Sequence, residues 1–185
     1  MRLRHTLVKV FVWGGLGAVV VASSGAEGGQ EVRRDARPTL EEAFRGWDKG
    51  FSSDRKDDRV DALRSMLPRK EEIALLFPEQ VDLLWPILDE GHTAMLENVD
   101  QMAAQMTRGG GITAIKPIDV RADARRAEGP YREVLAMIPQ DVEVFELVVT
   151  RGRSTSGSSA YLYVNNRWCW VRGFEAIPKL LESLR

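Results

Sequence analysis

Between residues 38 and 106 apolar residues recur every three or four positions. Beyond residue 112 they recur mainly at every second one, so the chain reads as helices first and strands afterwards. Thr39 and Glu42 form a capping box ahead of Leu40, Ala43, Phe44 and Trp47, which predicts a first helix ended by Gly50. Residues 54–67 predict a second helix, with Val60, Leu63, Met66 and Leu67 inward and Pro68 as its stop. Residues 70–77 predict a third, carrying Ile73, Leu76 and Phe77. The longest signal covers residues 78–106, where Val81, Leu84, Leu88, His92, Met95, Val99, Met102 and Met106 recur without a break. It predicts one amphipathic helix about seven turns long, kinked or split near its start by Pro86.

Past the glycines at 109–111, residues 112–120 predict a strand, placed at a sheet edge by Lys116 and Pro117. A polar turn over 122–129 and a short helix over 131–138 follow. Residues 142–151 are apolar on both faces, which argues for a central strand, and 152–158 read as a Gly/Ser-rich connection. Strands 161–164 and 167–171 flank Asn165-Asn166 as a hairpin, because Asn tolerates the positive φ of a two-residue turn. A last helix spans 177–184. The fold class expected is α+β: N-terminal helices, including one long amphipathic helix, packed on a curved antiparallel sheet, with a short C-terminal helix.

The hairpin turn fixes a register in which Tyr163 opposes Trp168, Tyr161 opposes Trp170 and Leu162 opposes Cys169. Tyr161, Tyr163, Trp168 and Trp170 then share one face, while Leu162, Val164, Cys169 and Val171 share the other. Two arrangements stay open. Either one face packs on the long helix and the other forms a partly wet outer wall, or a curved sheet lines a cavity with Tyr and Trp. The second would suit a hydrophobic or sugar-like ligand. Those four aromatics and His92 are the candidate ligand-binding residues. His92 lies on the apolar stripe, where it serves either as a core histidine or as a general base or metal ligand. Arg151 and Arg172 stand near the end of the aromatic face, as solvated charges or as anion contacts.

The first 26 residues have the make-up of a signal peptide. Arg2, Arg4 and His5 precede an apolar run over 10–22, and Ser24 and Ala26 fit the small-x-small cleavage rule. Cleavage after Ala26 leaves 159 residues and takes the formal charge from −1 to −4. The expected location is secreted or periplasmic, with an N-terminal membrane anchor as the alternative and no stable membrane insertion after cleavage. Residues 27–37 are polar and read as a disordered lead-in, followed by a single α+β domain over 38–185. The mildly acidic balance gives no electrostatic reason to bind nucleic acid. Cys169 is the only cysteine, so no internal disulfide forms, and a small buried hydrophobe is its expected role.

The opening Thr39-Leu-Glu-Glu-Ala-Phe-Arg-Gly-Trp, the later Met66-Leu67-Pro68, and the closing Tyr161-Leu-Tyr-Val-Asn-Asn-Arg-Trp168 resemble the two ends of secreted NTF2-like (SnoaL-like, cystatin-superfamily) domains. Asn166 stands where Gly is usual, and residues 70–106 are more helical than that pattern. The resemblance implies a sheet curled around helices to form a conical pocket. It carries no catalytic pair onto this chain, and no metal site or cofactor is expected. Gly109-Gly110-Gly111 precedes Ile-Thr and a strand, so it is no P-loop, and residues 152–156 lack the final Gly of a nucleophile elbow. The carboxylates at 54–61, 71–72 and 141–143 read as solvated faces. Three uses remain open: a non-catalytic domain binding a small hydrophobic ligand or protein partner through the aromatic face; an acid/base enzyme using a pocket Asp with Tyr or His92; and a homodimerising module.

Overall fold

The structure, a computed structural model, describes residues 37–184. The expected signal peptide, its expected cleavage point and most of the expected lead-in lie outside the described residues. Eight α-helices and four strands follow in chain order: α1 Leu40–Phe51, α2 Lys56–Met66, α3 Lys70–Leu76, α4 Val81–Glu97, α5 Val99–Met106, β1 Ile112–Asp119, α6 Ala124–Ala127, α7 Arg132–Met137, β2 Glu143–Arg151, β3 Ser154–Val164, β4 Arg167–Trp170 and α8 Ile177–Ser183. The strands form an antiparallel meander in the order β1-β2-β3-β4, so the α+β class holds. β1 is an edge strand and β2 is interior, as their proline and double apolar face require.

The capping box closes α1: the Thr39 N–H donates to Glu42 Oε2 at 2.7 Å, and the Glu42 N–H donates to Thr39 Oγ1 at 3.2 Å. α1 runs on to Phe51, past Gly50, which lets α1 and α2 approach closely. A Cβ on Gly50 would stand 2.6 Å from the Ala62 Cβ. The long helical signal is two helices, α4 and α5, and the break falls at Asn98 rather than at Pro86, which stays within α4. Asn98 turns its Nδ2 back to the Ala94 carbonyl at 2.8 Å, a local bond that competes with continuing the helix.

The expected connection over 152–158 is instead a two-residue turn and the first half of β3, since Arg151 pairs with Ser154 and Thr150 with Thr155. Ser154 to Gly157 are exposed, so this half-strand is held by its backbone ladder and shows no apolar alternation. The polar turn over 122–129 also encloses α6, capped by the Asp123 carboxylate. The Asn165-Asn166 turn has φ of 52° and 59°, and the register it sets is the expected one: Tyr161↔Trp170, Leu162↔Cys169 and Tyr163↔Trp168.

One sheet face is covered by α1, α2 and α5, whereas the other is covered only beside Val144, Leu162, Val164 and Cys169 and is open at Ala114, Lys116, Thr155 and Gly157, a partly wet outer wall. On one, Leu147, Val149, Tyr161, Trp168 and Trp170 pack with Leu40, Phe44, Trp47 and Phe51 of α1, with Leu63 and Met66 of α2, and with Val99 and Ala103 of α5. On the other, Val144, Leu162, Val164 and Cys169 pack with α3, α7 and α8. α4 serves both cores, with Leu84 in the second and Met95 in the first.

Candidate functional site

The meander sets two rows of side chains across one face: Glu143, Tyr163 and Trp168, and beside them Phe145, Tyr161 and Trp170. α1 lies on these rows, because the apolar stripe Leu40-Phe44-Trp47-Phe51 needs a partner surface and the aromatics supply it. Tyr161 is fully buried, stacked on Trp47 at 6.0 Å and met edge-on by Phe44 at 6.1 Å. Trp168 is buried and its Nε1–H donates to the Pro38 carbonyl at 2.8 Å. Trp170 is also buried, and its Nε1–H meets no acceptor among the described residues. Only Tyr163 keeps partial exposure, and the Arg37 guanidinium lies over its ring, 3.6 Å from the centroid.

His92 is elsewhere. With Trp85, Asp89 and Leu96 it lines a groove of about 310 Å³ whose other side is built by Arg64, Leu67, Pro68, Arg69, Lys70 and Glu71. The residues from α4 fall at steps of three and four, so they share one helix face. His92 meets Trp85 edge-to-face at 5.9 Å, and burial lowers its pKa below the usual 6.5, with Asp89 opposing the shift. The imidazole is therefore neutral at pH 7, with hydrogen-bonding capacity and no charge.

The far wall is held by a buried acid. Glu72, fully excluded from solvent, accepts from the Arg69 N–H at 2.6 Å and from Asn165 Nδ2 at 3.2 Å, and pairs with Arg167 at 3.5 Å. Arg167 also donates to the carbonyls of Ser65 and Leu67. The hairpin turn thus fixes the α2–α3 link that forms the groove. Lys70 pairs with Asp82, whereas Arg64 and Arg69 have no carboxylate partner among the described residues.

A second cluster escaped the sequence reading. β3 bulges opposite Glu146, where the register slips between Phe145 and Leu147 and Ala160 takes a φ of 47°. The bulge turns the Ala160 N–H to the hydroxyl of Tyr131, which hydrogen-bonds Glu146. Glu146 accepts from Arg126 Nε at 2.6 Å, and Arg126 also holds Asp123 at 2.6 Å. Burial first, and then the Glu146 bond, raises the Tyr131 pKa well above its usual 10.0. Tyr131 is 2% exposed, so a substrate has no access to the hydroxyl. The only sequence signal for this cluster was the lapse of alternation around residue 158.

The arginines at the sheet end divide. Arg151 is 5% exposed, paired with Asp48 and bonded to the Gly110 carbonyl at 2.9 Å, so it is an interior tie and not a solvated charge. Arg172 is exposed and joins Met95, Asn98, Gln101, Met102 and Gln105 along a shallow groove of about 440 Å³. Cys169 is buried, and burial pushes its thiol up to about 12, the character of a hydrophobe. Among the described residues no three His, Cys, Asp or Glu side chains are grouped to hold a metal ion, and no helix is long and apolar enough to cross a membrane. Comparison with protein-family models, curated proteins and solved structures finds no match for the chain.

Proposed function

We propose that this is a non-catalytic binding domain, exported from the cytosol, that takes a small, largely apolar molecule bearing one anionic group in the α2–α4 groove. The observation that carries the reading is the pairing of an apolar, aromatic wall with two guanidiniums free of carboxylate partners among the described residues: Leu67, Pro68, Trp85 and Leu96 beside Arg64 and Arg69. At about 310 Å³ the groove is at the small end of ligand sites, enough for a short acyl chain or a single ring system. Neutral His92 supplies a hydrogen bond, and the guanidiniums supply the anion contact.

The chain's helices-then-sheet arrangement is compatible with an NTF2-like domain, with α1 in the place of the conical pocket. The acid/base alternative needs an accessible Tyr–carboxylate pair, and in Tyr131 with Glu146 the tyrosine is buried while the carboxylate is engaged by Arg126. Dimerisation across the aromatic face would require that face to be exposed, and α1 covers it.

Titration of the 15N-labelled protein with octanoate tests the proposal. The expected result is saturable shift changes at the Trp85 indole and at His92 and Leu96. The Arg64→Gln/Arg69→Gln double variant should bind at least fivefold more weakly, and Trp85→Ala should lose the response. Absence of shifts up to millimolar octanoate, or shifts confined to another surface, would overturn it.

A further inference from the structure

The aromatic face ends in a corner that already holds a ligand-like group. Register places Glu143, Tyr163 and Trp168 side by side on three adjacent strands, and Phe145 packs edge-on to Trp168 at 5.7 Å. The Arg37 guanidinium sits on this corner. It lies 3.6 Å from the Tyr163 ring centroid and 5.0 Å from that of Trp168, and two of its nitrogens donate to the two oxygens of Glu143, one at 2.9 Å. A flat cation stacked on a ring and gripped edge-on by a carboxylate satisfies both parts of guanidinium recognition, the π-face and the fork of donors.

Arg37 belongs to the segment that composition marks as a disordered lead-in, so local propensity does not place it there. Two contacts do: the corner itself, and the Trp168 Nε1–H bond to the Pro38 carbonyl. The residue is also half-exposed, with its side chain 40% accessible and that of Glu143 45% accessible, so the seat opens directly to solvent.

We propose that the Glu143–Tyr163–Trp168 corner is a guanidinium-binding site, occupied in cis by Arg37 and open to an arginine side chain of a partner protein once Arg37 leaves. Phe44, Trp47 and Tyr161 pack against one another, so their ring contacts do not require Arg37. A tethered occupant acts at an effective concentration on the order of millimolar or above. An outside arginine must therefore compete with Arg37, and deleting Arg37 must raise its apparent affinity. The planar fork also distinguishes ligands: a lysine ammonium stacks as a point charge and cannot grip both oxygens of Glu143 in the same plane.

The probe is N-acetyl-arginine methylamide, titrated into 15N-labelled protein while the Trp168 indole and Tyr163 ring resonances are followed. Arg37→Ala should bind it saturably in the millimolar range, at least tenfold more tightly than the unaltered protein. Arg37→Ala/Glu143→Gln should lose that binding, and N-acetyl-lysine methylamide should bind at least threefold more weakly. In Arg37→Ala an unchanged Trp168 indole proton shift before addition shows that the Pro38 contact, and so the corner, is intact. With the corner intact, no binding by Arg37→Ala overturns the proposal, as does equal binding by Arg37→Ala and the unaltered protein. If the indole shift does move, Arg37→Gln, which keeps the side-chain length without the charge, is read by the same two criteria. Sedimentation at the titration concentrations separates sources. A dimer that dissociates on Arg37→Ala would show a second copy's Arg37 filling the site, and would overturn cis occupancy.

Discussion

Replacing Asp48 by Ala should destabilise the protein by about 3–5 kcal/mol, because it strands the buried guanidinium of Arg151. Arg151 ends β2 and is 5% exposed, whereas the Asp48 side chain on α1 is 16% exposed. Their attraction is worth about 4 kcal/mol at an effective dielectric near 20, and desolvating each ion costs several kcal/mol in return. The pair as a whole therefore contributes little net stability, but a lone partner is expensive. Asp48→Leu/Arg151→Met removes both charges, leaves the exposed Gly110 carbonyl to water, and should lie within about 1 kcal/mol of the unaltered protein. Urea unfolding followed by circular dichroism measures both variants, with an unchanged m-value as the sign that only stability moved. For a domain of this size, Asp48→Ala should lower Tm by roughly 6–20 °C. A loss below about 1 kcal/mol for Asp48→Ala, or a double variant as unstable as the single one, would refute the reasoning. The pair would then be a surface contact in energetic terms.

Two further outcomes follow from the geometry. His92 has a folded pKa below its unfolded value of 6.5, so the unfolded chain takes up its proton first as pH falls, and the contribution present above pH 6.5 is lost as pH drops through the depressed pKa. Substituting His92 by Gln should flatten the fall of stability with acidification that begins near the unfolded pKa of 6.5 in urea titrations, and an identical slope in the variant would rule out this linkage. At the hairpin turn, Asn166 has a φ of 59°, so Asn166→Gly and Asn166→Ala should differ by about 1–2 kcal/mol in favour of Gly, and equal midpoints in urea would exclude a strained turn there.

The sequence by itself determined what depends on neighbours along the chain. Period, caps and turn residues are short-range signals, so α1 with its Thr39–Glu42 box, the edge position of β1, the interior position of β2 and the register about Asn165-Asn166 were all legible. It also drew attention to His92, by its place on the apolar stripe of the long helical signal. Tertiary structure decided everything that depends on which surfaces meet. The stripe of α1 and the row of Tyr161, Trp168 and Trp170 each required an apolar partner, and periodicity alone does not say that they take each other. A bulge in β3, which follows a polar run that gives no apolar alternation, brought Tyr131 to Glu146. Glu72 became a buried hub only because Arg167 and Asn165, more than ninety residues away, reach it. Arg37 shows the limit most plainly. Composition assigns it to a disordered lead-in, yet the row Glu143–Tyr163–Trp168, assembled from three strands, offers a planar cation more than water does. That preference arises from long-range pairing, which no local pattern encodes.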